Sequence, residues 1–375
     1  MSKNRKQTLI MLAVVLCMAG LSFSAQKQYK SLEIGQKAPD FNLPGVDGRN
    51  YKLADFAGAE VLVIIFTCNH CPTAQAYEER ILKLAADYKI KSVALVAISA
   101  NDPRAVRLDE LGYSDMSDSF EDMKIRAKDM GYNFPYLYDG DNQRVSLAYG
   151  PARTPHVFIF DRQRMLRYIG RIDDSEKPHL VKTEDARNAI EALLRGREVP
   201  VKETPTIGCS IKWSDKRESA RRSLEMWARE NVTVEMASAR NIRELIKNDS
   251  GKLRLVNIWA SWSGPSVKQL QEFVTMNRMY RRRNFELITI SADSSKRRGR
   301  VLSSLKRQQV SCKNLLFDSE DVYELMEAVD RDLLGGIPYT LLIQPGGKVI
   351  YRKVGMIDPL ELKKAIVGYV GRYYK

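Results

Sequence analysis

The chain has 375 residues, 44% of them hydrophobic and 28% charged, and a formal net charge of +14. This length exceeds one ordinary hydrophobic core and favours two domains in a globular protein. Five cysteines are too few for a fold of this length that is stabilised mainly by disulfides, so the class of disulfide-rich scaffolds is excluded.

The N-terminus has the layout of a secretory signal peptide. Basic residues come first, at Lys3, Arg5 and Lys6. An apolar run from Leu9 to Phe23 follows, and cleavage is expected near Ser24 or Ala25, so residues 1–25 are assigned to the signal. We therefore predict export to the periplasm or cell envelope, with loss of Cys17. An uncleaved signal that anchors the chain is the alternative.

The stretch from Val61 to Arg80 contains, in this order, a predicted strand, a pair of cysteines and the start of a predicted helix. Apolar β-favouring residues lead to Thr67, Cys68-Asn69-His70-Cys71 follows, and a pattern of helical period continues beyond Pro72. A thiolate attacks sulfur, and a helix N-terminus stabilises that anion, so this order predicts redox chemistry. We expect Cys68 at the helix cap and Cys71 one turn inside.

His70, when protonated, would place a positive charge beside the Cys68 thiolate and make the disulfide more oxidising. The alternatives for the cysteine pair are a structural disulfide or half of a zinc site. A zinc site needs further ligands at suitable spacing, and the remaining cysteines and histidines are scattered singly. We predict neither a metal nor an organic cofactor.

Strands and helices alternate beyond the dithiol. Val93 to Ser99 is a continuous apolar run, Phe120 to Met130 has a helical pattern, and Val157 to Asp161 follows Thr154-Pro155-His156 as another strand. This alternation predicts an α/β sheet covered on both faces. A cis bond at Thr154-Pro155 would bring backbone beside the dithiol, but the sequence alone leaves the isomer open.

Four segments together resemble the peroxiredoxin-like branch of the thioredoxin-fold superfamily, the redoxin or alkyl-hydroperoxide-reductase-like proteins of bacterial envelopes. They are APDF near the start, FTCNHCP, TPHVFIFD and GCSIKW at 208–213. The resemblance implies a thioredoxin-like domain at 32–200 in which Cys68 is the nucleophile, Cys71 resolves the mixed disulfide and the Thr154-Pro155 loop cradles the substrate. The chain lacks the Pro-x-x-x-Thr-x-x-Cys spacing of peroxiredoxins. It also lacks an acid on the strand before the dithiol, so the sequence names no general base for Cys71.

Cys209 lies in the GCSIKW segment, within a predicted linker at 201–237. It is either a third redox thiol that reaches the dithiol or a single half-buried cysteine. The residues alone leave both interpretations open.

The second predicted domain covers 238–375. Its segment LRLVNIWASWSGPS resembles a thioredoxin active site in which Ser263 and Ser266 replace both cysteines, and Pro338 enters a later strand. The domain resembles membrane-anchored thioredoxin-like proteins of the envelope. The predicted fold class is thus α/β, with two tandem thioredoxin-like domains, each a central mixed sheet flanked by helices. The second is either a binding module or a degenerate repeat kept for stability.

The excess positive charge lies in the second half of the chain. It includes Arg278, Arg281, Arg282, Arg283, Lys296, Arg297, Arg298 and Arg300. Export argues against a nucleic-acid surface, so we predict no nucleic-acid partner. The simplest interpretation is that these basic residues lie on solvent-exposed faces. The alternative is that they bind an anionic surface or an acidic partner.

These observations predict an exported thiol-disulfide oxidoreductase that acts on protein or small-molecule disulfides and exchanges electrons with an envelope redox partner. One alternative is a peroxide-reducing antioxidant enzyme in which Cys68 passes through a sulfenic acid, which Cys71-Pro72-Thr73 and APDF suggest. The other is a non-catalytic envelope protein that binds its partner through the second domain.

Overall fold

The computed structural model of the chain describes residues 29–90, 92–330 and 336–374. The predicted signal peptide at 1–25 lies outside the described residues. Residues Ser31–Lys375 form one compact unit, which contains two α/β halves in tandem. Within the described ranges, no helix combines the length and the apolar character needed to cross a bilayer.

The first half is built around a mixed sheet. The strands of the first half are β1 (Asn42–Pro44), β2 (Asn50–Lys52), β3 (Val61–Thr67), β4 (Val93–Ser99), β5 (Tyr136–Tyr138), β6 (Arg153–Thr154), β7 (His156–Phe160) and β8 (Leu166–Gly170). The sheet order is β5-β4-β3-β7-β8, with β3 parallel to β4 and antiparallel to β7. Every residue of β3 is buried, as expected for a central strand covered by helices on both faces.

The helices of the first half are α1 (Pro72–Tyr88), α2 (Phe120–Met130), α3 (Arg144–Tyr149) and α4 (Asp185–Leu194). The apolar face of α1 packs on β3 through Tyr77, Ile81 and Leu84, because these residues recur at helical spacing. Gly131 ends α2 with φ +64°, a conformation that glycine adopts without a Cβ penalty.

The segment 201–237, predicted as a linker, contributes elements to both halves. It contains β9 (Cys209–Ser210), α5 (Arg217–Ala228) and β10 (Glu235–Ala237). β9 pairs with β6 of the first half, and β10 joins the second sheet. Ile211 and Trp213 are buried, so the GCSIKW segment is a packed part of the first half.

The second half repeats the architecture. Its strands are β11 (Leu253–Trp259), β12 (Phe285–Ser291), β13 (Lys313–Phe317), β14 (Tyr339–Ile343) and β15 (Val349–Val354), and its helices are α6 (Ala239–Lys247), α7 (Gly264–Tyr280), α8 (Arg298–Arg307), α9 (Val322–Val329) and α10 (Pro359–Val370). The sheet order is β10-β13-β12-β11-β14-β15. The predicted fold class, two mixed sheets flanked by helices, is confirmed.

The two halves meet at the loop that follows β4. Leu111 packs in the core of the second half, and the Tyr280 hydroxyl donates to the Ser114 carbonyl at 2.8 Å. The Arg283 guanidinium lies 3.6 Å from the centre of the Tyr113 ring and donates to the Gly112 carbonyl at 2.7 Å. The second half therefore holds the loop that leads to Asp118.

Candidate active site

The dithiol lies between the end of β3 and the start of α1. α1 begins at Pro72, which suits the first helical position because proline lacks only an N–H that would be unpaired there. Cys71 is therefore the N-cap, with extended backbone, and its Sγ accepts from the Ala74 N–H at 3.5 Å. The prediction that Cys68 is the cap was wrong; Cys68 lies one residue beyond β3, before the chain turns into the helix.

The second half provides an internal comparison for this position. β11 ends at Trp259, and Ser263, four residues later, caps α7 and accepts from the Ser266 N–H at 3.4 Å. Cys71 likewise follows the end of β3 by four residues. Cys71 thus occupies the place of Ser263, and Ala74 that of Ser266.

Cys68, Cys71 and Thr154 come together, as the sequence predicted for the dithiol and its loop. Cys68 Sγ lies 3.3 Å from the Thr154 hydroxyl, and Cys71 Sγ lies 3.5 Å from the Thr154 carbonyl oxygen. The Thr154–Pro155 peptide bond is cis. Cys68 is 3% exposed and Cys71 is fully buried, so both sulfurs lie beneath the surface.

Cys209 completes a cluster of sulfurs with this pair. It packs against Cys68, Cys71 and Ala74 and is itself partly exposed. The pairing of β6 with β9 sets Cys209 opposite Thr154. The structure thus brings the candidate third thiol to the dithiol, although 138 residues separate it from Cys71 along the chain.

His70 is held by a buried carboxylate that the sequence analysis did not identify. The Asp118 Oδ2 atom accepts from His70 Nδ1 at 2.5 Å and from the Asn101 side chain at 2.7 Å. Its Oδ1 atom accepts from the backbone N–H groups of Asn69 and His70 at 2.9 and 3.1 Å. Asp118 therefore fixes both the backbone and the imidazole between the two cysteines.

The charges of this pair follow from its geometry. Burial alone would lower the pKa of His70, but the charge of Asp118 and its hydrogen bond leave that pKa raised. Burial would raise the pKa of Asp118, but the charge and hydrogen bond of His70 leave it lowered. Each shift favours the ionised form of its group.

The thiols differ in acidity. Burial, followed by the hydrogen bond to Cys71, raises the pKa of Cys68 well above its usual value. Burial opposes ionisation of Cys71 too, but hydrogen bonds from the Cys209 and Cys68 thiols and the charge of His70 hold its pKa well below the usual value. Cys71, and not Cys68 as the sequence suggested, is therefore the sulfur that the site stabilises as a thiolate.

Metal-ligand types also meet here. Atoms of Cys68, His70 and Asp118 lie within 4.8 Å of one another. Both carboxylate oxygens of Asp118 already accept hydrogen bonds, and His70 Nδ1 is bonded to one of them. These atoms are arranged as an ion pair, and a metal ion would have to break it.

The corresponding place in the second half carries hydroxyl groups. Ser263 and Ser266 are buried at the start of α7, and Trp262 beside them is 55% exposed. The Ile337–Pro338 bond is cis, like that at Thr154–Pro155. The second half thus keeps the backbone frame of the site without its thiols.

Asp118 is the main residue that the sequence analysis missed. It lies 47 residues beyond Cys71 in a stretch with several acids and serines, SDMSDSF. No spacing links it to the dithiol. Only the packing of the loop after β4 brings it to His70.

Fold and site together define a thioredoxin-like protein with a dithiol in its first half. The AhpC/TSA family model matches residues 34–169 and 231–352, and the chain belongs to this family. The two matched segments correspond to the two α/β halves.

Individual relatives are more distant. A thiol-disulfide oxidoreductase, ResA, of Geobacillus thermodenitrificans is 23% identical over 44% of this chain and 88% of its own length. A candidate peroxiredoxin of Mycobacterium tuberculosis is 28% identical over 38% of this chain and 80% of its own. An uncharacterised conserved protein of Geobacillus kaustophilus, with a solved structure, is 43% identical over 48% of this chain and 93% of its own, with a TM-score of 0.44. The curated relatives support a redox function in general terms.

Proposed function

We propose that the protein is an exported thiol-disulfide oxidoreductase in which Cys68 and Cys71 cycle between a dithiol and a disulfide. One observation carries this proposal: Cys71 caps α1 and accepts from the Ala74 N–H, and Thr154 contacts the sulfurs of both Cys71 and Cys68. A thiolate beside a second thiol is the arrangement that disulfide exchange requires.

The remaining predicted residues have defined parts in this proposal. His70, kept protonated by Asp118, stabilises the thiolate. Thr154 and Pro155 offer backbone to the bound disulfide. Ser263 and Ser266 carry no electrons, because a hydroxyl of very high pKa does not replace a thiolate at neutral pH. In this proposal the second half, with its Pro338 loop, supports the site and its contacts with a partner.

The substrates are protein or small-molecule disulfides, and electrons are exchanged with a redox partner in the cell envelope. The names of the thiol-disulfide oxidoreductase relatives support this substrate class. The signal-like N-terminal sequence supports export.

A titration in glutathione buffers tests the proposal. The mature protein is equilibrated at a series of potentials, and peptides that contain Cys68 and Cys71 are quantified by mass spectrometry in reduced and disulfide form. We expect a reversible couple. A potential of about −270 mV would identify a reductant, and one of about −120 mV an oxidant. The absence of a reversible couple would overturn the proposal.

Peroxide reduction is the second candidate, favoured by the peroxiredoxin-like relative. It requires stoichiometric consumption of hydrogen peroxide and a sulfenic acid on a cysteine of the site. Trapping with a sulfenate-specific probe during turnover separates it from disulfide exchange, which leaves no sulfenate.

A further inference from the structure

The three clustered sulfurs differ in access. Cys68 is 3% exposed and Cys71 is fully buried, whereas Cys209 is partly exposed. The three residues pack together, and Cys71 is the sulfur that interacts with both of the others, because the Cys68 and Cys209 thiols each lower its pKa. An incoming sulfur from solution therefore meets Cys209 before it meets either member of the dithiol.

The segment that carries Cys209 is built against the Thr154 loop. A Cβ at Gly208 would lie 2.0 Å from the Thr154 carbonyl oxygen, and the φ of Gly208 is +137°. Only glycine allows this approach. Arg153 donates to the Gly208 carbonyl at 2.9 Å, so both strands of the β6–β9 pair fix Cys209 in place.

The residues after Cys209 anchor the segment from the other side. The Lys212 N–H donates to the Asn101 side-chain oxygen at 2.8 Å, and Asn101 in turn donates to Asp118. Ile211 is 1% exposed. The position of Cys209 beside Cys71 is thus tied to the same hydrogen-bond network that holds His70.

We infer that Cys209 is the sulfur through which the buried dithiol exchanges with a disulfide substrate, and that Cys71 is the central sulfur that passes the bond to Cys68. This inference rests on the proposed function and adds the order in which the three sulfurs react. It assigns Cys209 as a catalytic residue and reverses the roles that the sequence suggested for the dithiol.

The reducing direction proceeds in three exchanges. Cys209 passes its proton to Cys71 and attacks a substrate R–S–S–R′, so that the substrate bond breaks, a Cys209–S–S–R bond forms and R′–S⁻ leaves with the proton from Cys71. Cys71 then attacks Cys209 Sγ, which forms the Cys71–Cys209 disulfide and releases R–S⁻. Finally, Cys68 attacks Cys71 Sγ, which forms the Cys68–Cys71 disulfide and releases Cys209.

Electrons and protons balance over this sequence. The dithiol loses two electrons, and the substrate disulfide gains them to become two thiols. Cys209 ends as the thiol that it was at the start. Because Cys71 begins as a thiolate, Cys68 supplies one proton and solvent the other.

The low pKa of Cys71 suits its role as the leaving sulfur in the oxidising direction. Disulfide exchange is fast when the leaving sulfur has a low pKa. In the oxidising direction an external thiolate attacks Cys209 Sγ, and Cys71 leaves as a thiolate stabilised by His70 and by the Ala74 N–H.

Two variants that keep Cys209 native test the order of exchange, with glutathione disulfide as the probe. In Cys71→Ser the central sulfur is replaced by a good helix cap, so we expect glutathione to accumulate on Cys209. In Cys68→Ser we expect a Cys71–Cys209 disulfide. Peptide mass spectrometry identifies both products. Glutathione on Cys68 in the first variant, or no Cys71–Cys209 bond in the second, would overturn the inference.

A kinetic comparison uses Cys209→Ser, with Cys312→Ser as the matched control. Cys312 is partly buried in the second half, far along the chain from the dithiol. We expect Cys209→Ser to slow exchange by about tenfold or more, because access to the attacked sulfur limits the rate, while Cys312→Ser keeps the wild-type rate. An unchanged rate in Cys209→Ser with a reversible Cys68–Cys71 couple overturns this inference alone. The lack of that couple in the wild type overturns the proposed function as well.

Discussion

The Asp118 carboxylate lies 2.5 Å from His70 Nδ1, and both side chains are almost completely buried. Removal of one charge from a buried ion pair is costly, because the other charge stays desolvated without an opposite charge. His70 lies between the cysteines in sequence, and its charge lowers the pKa of Cys71, so ionisation of the pair affects both the stability of the first half and the acidity of Cys71.

The first prediction concerns Asp118→Asn. The raised pKa of His70 means that its contribution to stability is complete below about 6.5 and is lost as the pH rises through the folded-state value. The lowered pKa of Asp118 means that its contribution is complete above about 3.9 and is lost as the pH falls through the folded-state value. We expect Asp118→Asn to lower the free energy of unfolding by about 3–5 kcal/mol between these limits, and by less at alkaline pH.

Urea unfolding of the reduced protein over a pH series measures this difference. Asp139→Asn is the control, because Asp139 is a buried carboxylate that accepts from Ser146 and contacts neither His70 nor the thiols. Its effect should not shrink as His70 loses its proton. The charges that face His70 are Asp118, Cys71 and Lys212. A pH-independent loss in Asp118→Asn would contradict the ion-pair argument.

The second prediction concerns the thiolate of Cys71. Ultraviolet absorbance of thiolate in the reduced protein should persist below about pH 8.5, the usual pKa of a free cysteine, because His70 and two neighbouring thiols stabilise the anion. His70→Asn should move the transition to higher pH. Cys71→Ser should remove the low-pH signal. A signal that survives in Cys71→Ser and vanishes in Cys68→Ser would assign the thiolate to Cys68 instead.

The third prediction concerns Gly208→Ala. The new Cβ would collide with the Thr154 carbonyl oxygen at 2.0 Å, so β9 must shift away from the dithiol. We expect a loss of more than about 2 kcal/mol in the free energy of unfolding, together with slower formation of the Cys71–Cys209 disulfide in the Cys68→Ser background.

Gly196→Ala is the matched control for this change. Gly196 also has a positive φ, +64°, but a Cβ there would meet no atom within 4 Å. It should cost about 1 kcal/mol from backbone strain alone and leave disulfide formation unchanged. Equal effects of the two substitutions would show that the close approach to Thr154 does not matter.

The fold was predictable because its signals are local. The apolar run of β3 and the helical periodicity of α1 each depend on neighbouring residues, and the structure reproduces both. The N-cap of α1 lies three residues later than predicted, at Cys71 and not at Cys68. A cap at Cys68 would place Pro72 inside the helix, although proline favours the first helical position. Comparison with Ser263 in the second half corrects the register.

The partners of the dithiol were not predictable in the same way. Asp118 and Cys209 reach the site through long-range packing, the first at the end of a loop held by the second half and the second through a short strand pair. Sequence spacing carries no information about such contacts. The GCSIKW segment was recognised, but its burial against Asn101 could not be read from the residues.

The C-terminal arm, residues 371–374, brings the end of the second half to the same site. Arg372 donates to Asp115 at 2.6 Å and to Gln75 of α1 at 3.2 Å. The Tyr374 ring lies 5.0 Å from that of Tyr113, and the Tyr374 side chain lowers the pKa of Cys209. The arm thus lies beside the partly exposed thiol.

The fourth prediction concerns Tyr374→Phe. The hydrogen bond to Cys71, followed by burial, raises the pKa of Cys209, and the Tyr374 hydroxyl acts in the opposite direction. Loss of the hydroxyl keeps the ring contact but raises that pKa further. We expect alkylation of Cys209 by iodoacetamide to slow by about two- to tenfold at fixed pH, the effect of one hydrogen bond, as followed by peptide mass spectrometry. Tyr373→Phe, one residue earlier in the arm, should leave the rate unchanged. If both variants slow alkylation equally, the arm acts by general packing and the Tyr374 hydroxyl has no specific effect on Cys209.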